Sequence, residues 1–214
     1  MHIKAMLIAG IAVVASAAPA AATSGVYFGG GLGIESPANS KWNVPSLKQV
    51  GQYDLKSSNT FTLDAGYKFG TGLRIELQGQ YGQFDLSKLT PPSLAAPLKG
   101  QVSDVTLYLN AKYDFQVFSG WGGTIGAGLG SNWNTAHGST TAGLSILNGN
   151  DRAFAWQVSA GVSHEVLSNV DLQVEYRYQG SGTTTATQSG VGAFKFGSIQ
   201  SQTVTISAQV YLSP

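Results

Sequence analysis

The chain has 214 residues, with twelve Lys or Arg against eleven Asp or Glu, 28 glycines, no cysteine, and only 11% charged residues. Near-neutrality argues against a nucleic-acid partner, whose phosphates call for a basic face. The lack of cysteine removes disulfides and thiolate chemistry, and the charge fraction lies well below the ~25% of an ordinary soluble domain.

In chain order, MHIKAMLIAGIAVVASAAPAAATS comes first and has the layout of a secretory signal. Lys4 and His2 form a basic start, an apolar run extends from Ala5 to Ala15, and small residues close it. Cleavage after Ala22 satisfies the small-x-small rule through Ala20 and Ala22, with Ala18-Pro19-Ala20 as an alternative. The apolar run is shorter than the ~20 residues of a spanning helix. Residues 1–22 are therefore expected to be a cleaved signal peptide and residues 23–214 one domain, whose charges balance once Lys4 is lost. No later stretch holds 18 uninterrupted apolar residues, which excludes helical spans.

Eight segments alternate with period two: 25–34, 59–69, 73–83, 102–115, 121–131, 152–165, 170–179 and 201–212. Each is long enough to cross a bilayer as a tilted strand of ~9 to 11 residues. One phase is uncharged throughout. It carries Val26, Phe28, Leu32, Ile34, Phe61, Leu63, Ala65, Tyr67, Phe69, Leu73, Ile75, Leu77 and Tyr81, with gaps only at Gly30 and Gly79. It continues through Val105, Leu107, Leu109, Ala111, Tyr113, Phe115, Ile125, Ala127, Leu129, Phe154, Trp156, Val158, Ala160 and Val162 to Leu172, Val174, Tyr176, Tyr178, Val204, Ile206, Ala208, Val210 and Leu212. A charge on a lipid face costs about 2–4 kcal/mol near the midplane, which accounts for its absence.

The opposite phase holds Asp64, Lys68, Arg74, Glu76, Asp104, Lys112, Glu165, Asp171, Glu175 and Arg177, with Thr62, Gln78, Tyr108, Asn110, Gln157, Gln173, Thr205 and Gln209. A lipocalin-like carrier would need the reverse, an apolar interior and a wet exterior. The polar phase is rich in small residues and clustered charges, which suits a narrow lumen.

The links 70–72, 116–120 and 166–169 are short, and 35–58, 84–101, 132–151 and 180–200 are long. This strict alternation predicts an all-β fold: an eight-stranded antiparallel up-and-down transmembrane β-barrel with four long extracellular loops and three short periplasmic turns. The first strand must close on the eighth, because an open edge cannot be satisfied in lipid. The long links are expected to be irregular, with Lys41, Lys48, Lys56, Lys88, Lys99, Trp42 and Trp133 in them, and Pro37, Pro45, Pro91, Pro92 and Pro97 are expected only in loops.

The inward charges Asp64, Lys68, Arg74, Glu76, Lys112, Glu165, Asp171, Glu175 and Arg177 are the candidate site. Hairpin geometry sets Lys68 opposite Arg74, Gly66 opposite Glu76 and Glu165 opposite Asp171, so a salt-bridged network across the lumen is expected. An eight-stranded lumen is just wide enough for side chains to fill, which favours a plug over a conducting pore. His137 and Ser139 in HGST, with Asp151 to orient the histidine, are a weaker, hydrolase-like constellation on a glycine-rich loop. His164 follows the outward phase. Two histidines beyond the leader and no cysteine offer no metal site, and no cofactor is expected. The glycine runs GGGLG and GAGLG sit inside strands without a following helix, so they read as space in a crowded barrel, not as a dinucleotide fingerprint. Aromatics gather near both strand ends, as interfacial girdles do.

GVYFGGGLGI, TIGAGLG, WQVSAGVSHE and VEYRYQG, in this order and spacing, resemble the outer-membrane β-barrel family of opacity proteins and small proteobacterial surface antigens, over the whole chain after the leader. The resemblance implies a non-enzymatic outer-membrane scaffold, in contact with lipids, lipopolysaccharide and the assembly machinery, whose loops meet a surface protein or host partner. Relatives commonly end in an aromatic residue, usually Phe, whereas this chain ends Tyr211-Leu212-Ser213-Pro214.

Overall fold

The computed structural model describes residues 24–212 apart from 39, 45–48, 56, 91–97, 141–144, 183, 189–191, 197 and 199, with side chains outside 39–56, 85–102, 135–151, 183–197 and 199. Among the described residues the chain forms twelve strands: β1 (Gly25–Pro37), β2 (Ser40–Val44), β3 (Gln49–Leu55), β4 (Ser58–Lys68), β5 (Leu73–Thr90), β6 (Leu98–Phe118), β7 (Trp121–Thr140), β8 (Ser145–Leu167), β9 (Val170–Ser181), β10 (Thr184–Gln188), β11 (Gly192–Phe196) and β12 (Gln200–Tyr211). Eight of them close an antiparallel ring in the order β1-β4-β5-β6-β7-β8-β9-β12. The closing seam runs from Tyr27 opposite Tyr211 to Pro37 opposite Ser201.

Each of the eight alternating segments lies within one ring strand to within a residue. The faces divide as the alternation predicts. Leu32 is 71% and Ile206 63% exposed on the outside, while Glu76 and Arg177 are fully buried within. A water-soluble barrel would pack those same side chains the other way round.

The short links make tight turns. Phe69 N donates to Leu73 O at 2.8 Å and Gly72 N to Phe69 O at 3.0 Å. Gly72 (φ 85°) and Gly120 (φ 76°) occupy left-handed backbone that a side chain would strain. The long links depart from expectation. β7 and β8 keep pairing from Trp133 opposite Arg152 out to Ser139 opposite Ser145, and β5 and β6 from Gln83 opposite Ser103 out to Leu86 opposite Gly100. β2 pairs with β3, β3 with β5, β10 with β11, and β11 with β2, so two short hairpins extend the wall above the ring.

Trp42, Lys41, Lys88, Lys99 and Trp133 therefore lie in strands, and Pro37 ends β1 opposite Ser201. Lys48, Lys56, Pro45, Pro91, Pro92 and Pro97 lie outside the described residues. The physical reason is that beyond the lipid both faces of a strand meet water. Hydrogen bonding can continue there without the apolar alternation from which a strand is read.

Candidate functional site

Alternate residues of all eight ring strands bring their polar side chains to the barrel axis, and the contacts fall into three levels. At the level nearest the short turns, Lys68 Nζ lies 3.1 Å from Asp114 Oδ2 and Arg74 Nη2 3.4 Å from Asp114 Oδ1. Arg74 also donates to Gln209 Oε1 at 2.5 Å and sits 5.3 Å over the Tyr27 ring, whose centroid is 5.4 Å from that of Tyr211.

At mid-height, Lys112 Nζ bridges Glu76 and Glu175, 2.9 Å from each. Glu76 further accepts hydrogen bonds from Tyr27 Oη at 2.6 Å and Asn110 Nδ2 at 3.0 Å. Arg177 Nε is 3.6 Å from Glu175, its Nη1 donates to Gln78 at 2.9 Å and Gln80 at 3.3 Å, and its Nη2 donates to Thr205. Gln157 donates to Gln78 at 2.8 Å and to Asn110 at 2.7 Å, and Gln78 donates to Asp64 at 2.8 Å. In the ring order β5 and β9 are diametrically opposed. The bonds from Arg177 to Gln78 and Gln80 therefore cross the full width of the lumen.

The third level, at the outer end, is chemically different. Glu35 accepts from Gln80 and Gln179 at 2.9 Å each, and Asp104 accepts from Asn132 at 2.9 Å and Thr106 at 3.3 Å. Glu35, Asp104, Thr106, Asn132 and Gln179, with Tyr108 and Phe84 among others, line a cavity of about 60 Å³.

Glycines make the packing fit. A Cβ on Gly128 would lie 1.9 Å from Asn110 Oδ1, and one on Gly126 would lie 2.6 Å from Lys112 Cγ. The GAGLG run is thus the bare patch of wall against which the Lys112 and Asn110 side chains rest.

Of the nine candidate residues, Lys68, Arg74, Glu76, Lys112, Glu175 and Arg177 have ion-pair partners, and Asp64 meets the cluster through Gln78. Glu165 and Asp171 face each other across the last short turn, Glu165 exposed and Asp171 half-buried, and neither has an ion pair among the described residues. The basic pair is met instead by Asp114, absent from the candidate set although it shares the phase of Lys112. Glu35 is also absent from that set, because Ile34 is the last apolar residue of the first segment.

The side chains of His137, Ser139 and Asp151 lie outside the described ones; in the register His137 opposes Asn148, while Asp151 opposes Asn134, three rungs away. His164 is on the outer wall, with Nδ1 2.6 Å from Gly120 O and its ring stacked 4.7 Å from Trp121. Trp133 is exposed on β7, with the Arg152 guanidinium 5.2 Å above its ring. Among the described residues no three His, Cys, Asp or Glu side chains could together hold a metal ion.

A family model described as "Outer membrane protein beta-barrel domain" matches residues 5–210. An "Outer membrane protein" of Gluconacetobacter diazotrophicus is 26% identical over 206 residues, covering 83% of this chain and 54% of that protein. The chain thus spans about half the length of that curated relative. Two solved structures share the fold. Neisserial surface protein A has a TM-score of 0.53 at 20% identity, covering 89% of this chain and 99% of that one. The outer membrane protein OprG of Pseudomonas aeruginosa has a TM-score of 0.60 at 13% identity, covering 89% and 98%.

Proposed function

The chain belongs to the outer membrane protein β-barrel domain family, a family of small non-catalytic barrels of the bacterial outer membrane, and from that premise we propose that it is a structural and surface-interaction protein whose lumen is plugged by its own side chains. It presents its outer strand extensions and loops to a surface protein or host partner, while the ring is anchored among lipids and lipopolysaccharide. Residues 1–22 serve as the export signal and are removed, so the mature chain starts at Thr23 and is handed to the outer-membrane assembly machinery.

One observation carries the closed-lumen reading: Arg177 on β9 reaches Gln78 and Gln80 on the opposite wall, directly above the Glu76–Lys112–Glu175 bridge. Solute or ion flow would have to break these contacts, and leaving one member of a buried ion pair unpaired costs about 3–5 kcal/mol.

In planar bilayers the folded protein is expected to give an electrically silent record, and stepwise conductance from heat-modifiable, folded protein would replace this reading with that of a small porin. Exchanging the four outer segments for short turns should abolish partner binding while the heat-modifiable folded band persists. Binding that survives all four exchanges counts against presentation by the loops. Amino-terminal sequencing of protein recovered from outer membranes should begin at Thr23.

A further inference from the structure

The outer level of the lumen has more negative charge than its protein partners account for. Glu35 and Asp104 are both buried there, and among the described residues neither has a basic side chain within 4.0 Å. Arg177, which bonds Gln80 from below, is held by Glu175, Gln78 and Thr205. The donors that reach Glu35 and Asp104 among the described residues are neutral amides and hydroxyls.

The neighbouring amides supply a second observation. Asn132 and Gln179 each turn their NH2 toward a carboxylate, and their carbonyl oxygens have no donor among the described residues; Asp104 Oδ1 has none either. Asp104, Asn132 and Gln179 are 8%, 6% and 5% exposed, and all three line the 60 Å³ cavity with Glu35. Gly82 keeps the space beside Asp104 Oδ1 open, since a Cβ there would lie 2.6 Å from that oxygen. Buried acceptors without donors cost about 1–3 kcal/mol each, so a site built of them calls for a positive partner.

We propose that this outer vestibule is a cation site that takes a hard divalent ion of the chemistry of Ca2+, with Glu35 and Asp104 as charged ligands and the carbonyl oxygens of Asn132 and Gln179 as neutral ones. The donor set is all oxygen, and no His or Cys lines the cavity, which disfavours softer metals. Ca2+ accepts irregular mixtures of carboxylate and amide oxygens, whereas Mg2+ demands a near-ideal octahedron. The cavity is several times the ~10–15 Å³ a single water needs, which leaves room for an ion and a few waters. The proposal goes beyond the closed-barrel reading and is independent of it, because a barrel that conducted would still hold the ion.

The test uses the purified protein refolded in detergent micelles and stripped with a chelator. Tb3+ is titrated in, with Tyr108 in the cavity wall as a luminescence sensitiser, and Ca2+ then competes. The expected result is one saturable site per folded chain, displaced by Ca2+, at least tenfold weaker in Glu35→Gln and in Asp104→Asn and unchanged in Glu165→Gln at the opposite end. No saturable site, or equal binding in all three variants, overturns the proposal. Should either vestibule variant lose its heat-modifiable band, calorimetry of the wild-type chain with Ca2+ decides. A site present in the folded protein and absent from the urea-unfolded one supports the proposal, and equal heats in both overturn it.

Discussion

The middle and the outer end of the lumen solve one problem in two ways. At mid-height most buried charges meet an opposite charge: Lys112 bridges Glu76 and Glu175, and Glu175 meets Arg177, while Asp64 is reached by the Gln78 amide. At the outer end Glu35 and Asp104 meet amides and hydroxyls, and neighbouring carbonyl oxygens stand without donors among the described residues. A barrel narrow enough to be filled by side chains thus has a locked middle and an acidic mouth. The difference teaches where charge serves cohesion and where it is left over for something else.

The largest expected effect breaks the lock. Lys112→Met removes the cation shared by two buried carboxylates, leaving Glu76 its bonds from Tyr27 and Asn110 and leaving Glu175 to Arg177. Removing one partner of a buried pair costs about 3–5 kcal/mol. Urea unfolding of the refolded barrel should show a loss of that size, and a loss under ~1 kcal/mol would mean that the bridge adds little to cohesion.

The second effect probes the wall behind the lock. In Gly128→Ala the new methyl would lie 1.9 Å from Asn110 Oδ1, so Asn110 must move off Glu76 and release Gln157. Overpacking of this kind costs about 1–3 kcal/mol. Gly79→Ala serves as a control, because a Cβ there meets nothing closer than 3.9 Å. Equal unfolding midpoints for the two variants would show that the GAGLG run is not selected for room.

The eight ring strands were legible because lipid outside and a polar lumen inside impose strict alternation, and a charge in the wrong phase is costly. Above the lipid that sorting stops. The outward growth of β7 and β8 through Asn134, Thr135, Asn148 and Asn150, and the hairpins of β2, β3, β10 and β11, left no periodic trace for this reason. Within the lumen, the membership of most charges was legible from phase alone, Asp114 included, since it stands two residues after Lys112. Partner choice was not. Whether Lys68 and Arg74 meet Asp114 or the acidic residues of another hairpin depends on how the ring closes and staggers, which no single strand encodes.

The smallest expected effect is the most discriminating, because it makes the same chemical change at the two levels. Glu76→Gln takes the negative charge from between Lys112 and Tyr27 and leaves a buried cation with one counter-ion fewer. Glu35→Gln removes no ion pair among the described residues; its new NH2 would meet the NH2 of Gln179, and a flip of that amide turns toward it a carbonyl oxygen that has no donor among the described residues. With chelator present, Glu35→Gln should therefore change the unfolding free energy by less than about 1 kcal/mol, since both amide contacts are kept and removal of a buried, unpaired charge offsets the lost charge assistance. Glu76→Gln should cost at least ~2 kcal/mol more than that. Equal losses in the two variants would erase the distinction between locked middle and acidic mouth. A Glu35→Gln barrel that is as stable as the parent in chelator, yet loses the parent's stabilisation by Ca2+, would establish that the outer carboxylates are held ready for an ion and contribute little to the fold itself.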